Sequence, residues 1–160
     1  MADAPQQESR AQFTIQKIYV KDLSFETPNS PQVFLEKWEP EVGLQISNTA
    51  TVLNETTHEV VLTLTVTAKQ KDKTAYLIEV QQAGIFNIEG YQKEQVAMMV
   101  GSYCPHVLFP FARETVSDVV TRGGFPQLLL APINFDILYQ QHVEQAKQQQ
   151  GPAAASELTH

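Results

Sequence analysis

The sequence is poor in the features that define several protein classes. Cysteine occurs once, at Cys104, so no intramolecular disulfide can form, and a reducing compartment is favoured. No apolar run approaches the roughly 18 residues that a membrane-spanning helix needs. Basic residues number 11 against 18 acidic ones, which argues against a general nucleic-acid binder. Residues 1–10 lack the basic start and apolar middle of a signal peptide, so we expect a cytoplasmic protein without direct membrane insertion.

Catalytic and cofactor motifs are also scarce. The four histidines are far apart in the sequence, and no Cys/His pair has the spacing of zinc ligands, so we expect no metal site. No glycine-rich phosphate loop or dinucleotide fingerprint is present, so we expect no cofactor and no use of ATP. Cys104 and His106 permit a nucleophile reading, but a partly buried cysteine beside a helix is the simpler alternative. A Cys104 enzyme is therefore the only enzymatic alternative that these patterns leave open.

The stretch from Glu59 to Glu89 is the clearest structural signal in the chain. Val60, Leu62, Leu64, Val66 and Ala68 alternate with polar residues, which is typical of a strand with one buried face. The polar stretch 71–73 suits a hairpin turn. A return strand then places Tyr76, Ile78 and Val80 on one face. Gly84 near its end indicates a bulge or a close backbone approach.

Two further strands are predicted before this hairpin. Residues 13–25 change the phase of their apolar positions twice, so either two bulges reset the strand or both of its faces are buried. Residues 42–52 again alternate. Between them, Pro28, Pro31 and Pro40 exclude a regular helix or a central strand from the loop 27–41, whose large apolar residues are either packed down or part of a binding element.

After Gly90 the sequence favours helices. We expect one helix over 92–103 that ends at Pro105, and a second over 107–121 with Pro110 in its first turn. The second helix should pack through one face and stop at Gly123 and Gly124. That face comprises Leu108, Phe111, Ala112, Thr115, Val116 and Val119. An irregular apolar connector follows, and Asn134 can cap a last helix. Strands followed by helices predict an α+β fold.

Several ordered motifs resemble the bacterial export chaperone family SecB. They are IYVKDLSFETPN at 18–29, EVQQAGIF at 79–86, YCP at 103–105, FPFARE at 109–114, RGGFP at 122–126 and APINFD at 131–136. The resemblance spans about residues 12–143. It implies a SecB-like chaperone domain at 12–146, while the polar composition of 1–11 and the Gln/Ala-rich composition of 147–160 predict a disordered arm and a disordered tail. The resemblance also implies a four-stranded antiparallel sheet with helices packed on one face, assembled as a dimer of dimers.

The function implied by the resemblance is that of a non-enzymatic, ATP-independent holdase. Such a protein binds unfolded precursor proteins, keeps them translocation-competent and delivers them to the motor SecA. Its client groove is expected at Phe34, Trp38, Val42, Leu44, Tyr76, Ile85, Phe86 and Leu128. SecA is expected to bind Asp22, Glu26, Leu77 and Glu79 on the outer side of the sheet. The homotetramer interface is expected at Met98, Met99 and Tyr103. The alternative is a general peptide-binding or assembly chaperone that uses the same groove without a link to export.

Overall fold

The computed structural model of the chain describes residues 10–150. Four antiparallel strands come first: β1 (Gln12–Glu26), β2 (Glu41–Val52), β3 (Thr57–Gln70) and β4 (Lys73–Glu89). They form one sheet in the order β1-β4-β3-β2. A helical layer follows and covers one face of the sheet, so the α+β prediction is confirmed. In the described part of the chain, no helix has the length and apolar character needed to span a bilayer.

The two faces of the sheet differ in composition, as the alternation in β3 predicts. Val60, Leu62, Leu64, Val66 and Ala68 are fully buried against the helical layer, and we call this side the helix face. The threonines between them lie on the opposite side, the outer face, and are half-buried. One apolar face and one wetter face are the expected result for an antiparallel sheet covered on one side.

Two bulges in β1 explain its phase changes. The pairing of β1 with β4 shifts between Ile15 and Lys17 and again between Val20 and Asp22. Each extra residue reverses which face the following side chains occupy. As a result, all the large apolar residues of β1 pair with helix-face positions of β4. These are Phe13, Ile15, Ile18, Val20, Leu23 and Phe25. The double-bulge alternative is therefore correct.

The β3–β4 hairpin turns at Lys71 and Asp72, and Lys71 adopts a positive φ of 57°. Further along β4, Gly84 pairs regularly with Ile18 and Val60, so it is not bulged. A Cβ atom at Gly84 would lie 2.6 Å from the Phe86 ring and 3.1 Å from Leu108. The glycine therefore permits a close approach of helix and sheet, which was one of the two predicted alternatives.

The predicted break between the first two helices is wrong. Helix α1 (Lys93–Met98) continues through a π-helical turn, which we call the π segment (Met99–Tyr103), into α2 (Cys104–Arg122). Pro105 is the second residue of α2 and follows the π segment without a break, so its missing N–H leaves an upstream carbonyl without a helical donor. Pro110 lies in the interior of α2 instead of its first turn, and it is exposed. Its cost of about 3 kcal/mol is offset by packing along the rest of the helix.

The buried face of α2 also differs in part from the prediction. Leu108, Ala112, Val116 and Val120 are fully buried, whereas Phe111 is 45% exposed. The exact four-residue spacing rotates the contact face away from Phe111 and towards Val120. As predicted, α2 ends at Arg122, and Gly124 adopts a left-handed φ of 91°.

The last helix, α3 (Phe135–Gln150), begins as predicted. Its Ile137 N–H donates to Asn134 Oδ1 at 3.2 Å, so Asn134 caps the first turn. The helix continues through Gln150, beyond the start of the expected tail at 147. Residues 1–9 of the expected arm and 151–160 of the expected tail lie outside the described residues.

Candidate functional site

A cluster of aromatic rings lies at the end of the helix face where α2 stops. Phe125 is its centre, with ring centroids 5.0 Å from Phe34, 5.3 Å from Trp38 and 4.9 Å from Tyr76. The Trp38 and Tyr76 rings also stack at 6.3 Å. Gly124 brings Phe125 here by reversing the chain after α2, and a Cβ on it would lie 3.1 Å from the Phe34 ring. We call this group the aromatic cluster.

The loop 27–41 carries two rings of this cluster and is tied to the β3–β4 hairpin. Asn29 Nδ2 donates to the Thr74 carbonyl at 2.8 Å. The side chain of buried Gln70 donates to the Lys37 carbonyl at 2.8 Å and accepts from the Glu39 N–H at 2.8 Å. These bonds fix the loop at both ends, although only part of its apolar surface is covered.

The loop is packed down and open at once, so both of its predicted alternatives hold in part. Val33 is buried and Trp38 is half-buried, while Phe34 is 46% and Leu35 is 90% exposed. A segment of this kind combines a fixed backbone with apolar side chains that face solvent. Such surface is suited to binding extended apolar chain.

Seven of the eight predicted groove residues lie on the helical side of the sheet, and Phe86 is the one of these that lies at the far end of β4. Val42 and Leu44 project from the helix face of β2 and are 43% and 37% exposed. Val42 lies in a cross-strand row with Ala68 and Tyr76. Tyr76 is only 1% exposed and forms the floor beneath Trp38. Leu128 follows Phe125 in the connector and is half-buried against the core. Phe34 and Trp38 belong to the aromatic cluster described above.

Ile85 and Phe86 lie away from the other predicted groove residues. Ile85 pairs with Lys17 and Glu59 on the outer face. Phe86 lies on the helix face but is fully buried at the far end of β4, where its ring contacts Phe13 at 5.6 Å. The sequence marks Phe125 as an apolar residue outside the regular elements, but it was not among the predicted groove residues, because its position depends on how the glycine pair redirects the chain. The RGGFP motif was the available signal.

The predicted acidic residues lie together on the outer face. Across β1 and β4, Glu26 pairs with Leu77 and Asp22 pairs with Gln81, so Glu79 lies between the two pairs, opposite Ser24. Thr65 Oγ1 donates to Glu79 Oε2 at 3.0 Å. None of the ion pairs among residues 10–150 uses Asp22, Glu26 or Glu79. Their negative charge is therefore not neutralised within this part of the chain.

The bulge at Lys21 is what brings Asp22 and Glu26 to the outer face. Lys21 is the residue skipped in the pairing, and its Nζ lies 2.7 Å from Glu59 Oε1. The Tyr19 hydroxyl donates to the other oxygen of Glu59. The hydrogen bonds from Lys21 and Tyr19 hold the pKa of Glu59 below its usual value, and the carboxylate raises the pKa of Tyr19 to about 12.

A second open region surrounds the π segment. Met98 is 52% exposed, Tyr103 is 48% exposed, and Met99 is half-buried. All three line a groove of about 1160 Å³ between the π segment, the start of β1 and the connector before α3. Phe13, Pro132 and Phe135 contribute to the same groove. The three residues predicted at the oligomer interface thus share one largely apolar surface.

The structure offers no support for a Cys104 nucleophile. The thiol is fully buried, and desolvation raises its pKa to about 12. His106 is two positions further along α2, and side chains at this spacing do not face each other. Within residues 10–150, no three His, Cys, Asp or Glu side chains are grouped so that they could hold a metal ion.

Comparison with known proteins gives matches over almost the whole chain. Residues 6–146 match the family model described as "SecB: Preprotein translocase subunit SecB". The "Protein-export protein SecB" of Nitrosococcus oceani is 59% identical over 157 residues, which cover 97% of this chain and 93% of the relative. The protein of the same name from Methylococcus capsulatus is 56% identical over 153 residues, which cover 96% and 98%.

A solved structure supports the fold. The Mycobacterium tuberculosis Rv1957 SecB-like chaperone, in complex with a ChAD peptide from the Rv1956 HigA1 antitoxin, aligns with a TM-score of 0.58 at 17% identity. The alignment covers 76% of this chain and 87% of that chain. At this identity the likeness concerns the arrangement of strands and helices.

Proposed function

The chain belongs to the SecB family of preprotein translocase subunits and is a protein-export chaperone, and we propose that it acts as a non-enzymatic, ATP-independent holdase. In this proposal it works in the cytoplasm as a homotetramer. It binds unfolded precursor proteins, keeps them competent for translocation and delivers them to SecA. The observation that carries the proposal is the fixed but open apolar surface around the aromatic cluster in a chain of this family.

The proposed client groove comprises Phe34, Trp38, Val42, Leu44 and Leu128, with Tyr76 as its floor. Burying apolar client surface there gains about 25 cal/mol per Å². Each such contact is weak and has little sequence specificity, but several grooves on one assembly can hold one long chain and multiply these affinities. Binding the unfolded state opposes its folding by mass action, which requires no nucleotide. The peptide in the M. tuberculosis structure is consistent with this role.

The proposed SecA-docking face comprises Asp22, Glu26, Leu77 and Glu79. Three carboxylates without an ion-pair partner among the described residues share the outer face with half-buried Leu77, which pairs directly with Glu26. This arrangement suits a basic partner segment, because opposite charges steer and orient the encounter. The face is on the other side of the sheet from the client groove. A client and SecA could therefore be bound by one chain at the same time.

The proposed assembly buries the surface around the π segment between copies of the chain. Met98 and Tyr103 are about half exposed in the single chain, as are Ile15, Val20 and Leu23 on the helix face of β1. Large apolar side chains at this density are typical of an interface between subunits. Light scattering at micromolar concentration should give the mass of a tetramer, and a monomer alone would contradict this part of the proposal.

The test of the holdase proposal is suppression of aggregation of a refolding precursor without nucleotide. The wild-type protein should suppress aggregation equally with and without ATP, and Trp38→Ala should suppress it less. Leu53→Ala is the matched control, because Leu53 is 52% exposed but lies in the β2–β3 turn, outside the groove. A severalfold effect of ATP, or equal loss in both variants, would contradict the proposal. Absence of SecA binding in a pull-down would favour the general peptide-binding alternative.

A further inference from the structure

The π segment leaves one backbone carbonyl without its usual helical donor. In a regular α-helix the N–H of Cys104 would bond to the carbonyl of Val100, but here it bonds to the carbonyl of Met99. The residue after Cys104 is Pro105, which has no N–H to offer. Val100 is half-buried, so the donor for its carbonyl must come from outside the helix, either from a side chain or from solvent.

Asn48 supplies that donor from the sheet. Its Nδ2 donates to the Val100 carbonyl at 3.0 Å, across 52 residues of sequence. Asn48 lies on β2 opposite Leu62, so its side chain is on the helix face. This is the hydrogen bond that joins β2 to the π segment. A side chain on an edge strand thus completes the hydrogen bonding of a helical turn.

Two contacts from α3 fix the other side of the same turn. Ser102 Oγ donates to Asp136 Oδ1. Gly101 has no side chain, and a Cβ on it would lie 2.5 Å from the Tyr139 ring. The π segment is consequently held between β2 and α3. Its one-residue expansion rotates α1 relative to α2, and so determines which way Met98 and Met99 point relative to Tyr103.

We propose that Asn48 is a positioning residue for subunit assembly, because its bond to the Val100 carbonyl holds the π segment in the form that presents Met98 and Tyr103 to a second copy of this chain. The inference rests on the assembly proposed above and adds the residue that controls it. Asn48 does not itself line the groove that the methionines share. It acts on the interface through the backbone of the π segment.

The test replaces the donor without changing the size of the side chain. Asn48→Asp exchanges the amide for a carboxylate that repels the carbonyl. We expect hydrogen exchange of the amides of residues 99–104 to accelerate by up to about tenfold, because one hydrogen bond is lost and the new carboxylate repels the carbonyl. We expect the dissociation constant of the assembly, measured by sedimentation or light scattering, to rise by a similar factor. Asn48→Gln keeps an amide donor and should retain most of both properties.

Gln45→Glu is the matched control, since it adds the same charge on the same strand but on the outer face, opposite Thr65. It should leave both measurements unchanged. Unchanged exchange in Asn48→Asp would overturn the role of Asn48, and so would an Asn48→Gln variant as impaired as Asn48→Asp. Faster exchange with unchanged assembly would overturn the link to the interface. A wild-type protein that stays monomeric would instead overturn the assembly proposal, and with it this link, whatever the exchange rates are.

Discussion

Glu59 is the residue on which the polar contacts of the outer face converge. It lies on β3, yet it bonds to Lys21 and Tyr19 of β1, so these side chains reach across β4 above Ala83. Ala83 is fully buried although it is on the wetter face. The cluster therefore covers the middle of the sheet beside the proposed docking carboxylates, and it explains why only a small residue occupies position 83.

The lowered pKa of Glu59 gives a test with a defined pH window. The usual pKa of the glutamate is 4.5. Because the pKa of Glu59 is lower in the folded protein, its charge stabilises the fold above pH 4.5. This stabilisation is lost as the pH falls through the lowered pKa. Glu59→Gln should lower the free energy of unfolding at pH 7 by up to about 1 kcal/mol, since the pair is partly exposed. The difference from wild type should shrink between pH 7 and an acidic pH well below 4.5.

Thermal unfolding of both proteins at the two pH values measures this effect. Glu55→Gln is the control, because Glu55 is exposed in the β2–β3 turn and makes no ion pair with the described residues. A deficit in Glu59→Gln that is as large at the acidic pH as at neutral pH would show that packing, and not the charge, is responsible.

Cys104 allows a direct test of the alternative that the protein is an enzyme with a cysteine nucleophile. Its thiol is fully buried with a pKa of about 12, so little thiolate exists at neutral pH and reagents cannot reach it. Alkylation of the native protein at pH 8 should be slower than that of the urea-unfolded chain by at least about a hundredfold. Rapid native alkylation that abolished client binding would contradict the structural role assigned to this residue.

At the scale of elements, the contact between β4 and α2 depends on Gly84. A methyl group there would meet the Phe86 ring at 2.6 Å and Leu108 at 3.1 Å, and both side chains are fully buried. Gly84→Ala should therefore lower the free energy of unfolding by about 1–3 kcal/mol, as overpacked cores do. Gly43→Ala is the matched control, because a Cβ at Gly43 in β2 would have no neighbour within 4 Å.

Urea unfolding measures both variants. Alanine at position 43 should be neutral or slightly stabilising, since it restricts the unfolded chain in a strand that tolerates it. Equal stability of Gly84→Ala and wild type would mean that helix and sheet do not meet closely at this point.

The strands were predictable from the sequence because one buried face imposes a period of two. The β1 bulges were predictable as an alternative, since only a phase reset or two buried faces could explain residues 13–25. The helices were less predictable from the sequence than the strands. The rule that proline ends a helix considers only neighbouring residues. Helix α2 nevertheless continues through Pro110, because one whole face of it is buried against the sheet by Leu108, Ala112, Val116 and Val120. The π segment depends on a donor in β2 and has no local signature.

At the scale of the whole molecule, the sheet separates two candidate surfaces. Period two groups Asp22 with Glu26 and Leu77 with Glu79, and the family resemblance predicts that both pairs share one face. The register of β1 and β4 places them together on the outer face. The groove was harder to predict. Ile85 and Phe86 were both predicted in the groove from the family resemblance, but adjacent strand residues point to opposite faces, and Phe86 is at the far end of β4. Loop-borne residues such as Phe125 are placed by chain reversal and not by periodicity.

The central claim is that client binding and SecA docking use opposite faces of the sheet. The most direct measurement is calorimetric titration of two tetrameric, folded variants with an unfolded client and with SecA. Glu79→Lys should weaken SecA binding by at least about tenfold, an effect that salt reduces, and leave client affinity unchanged. Trp38→Ala should weaken client binding and leave SecA affinity unchanged. Glu41→Lys, the same charge reversal on the outer face of β2, should affect neither. If Glu79→Lys lost both activities together, the two surfaces would not be separate.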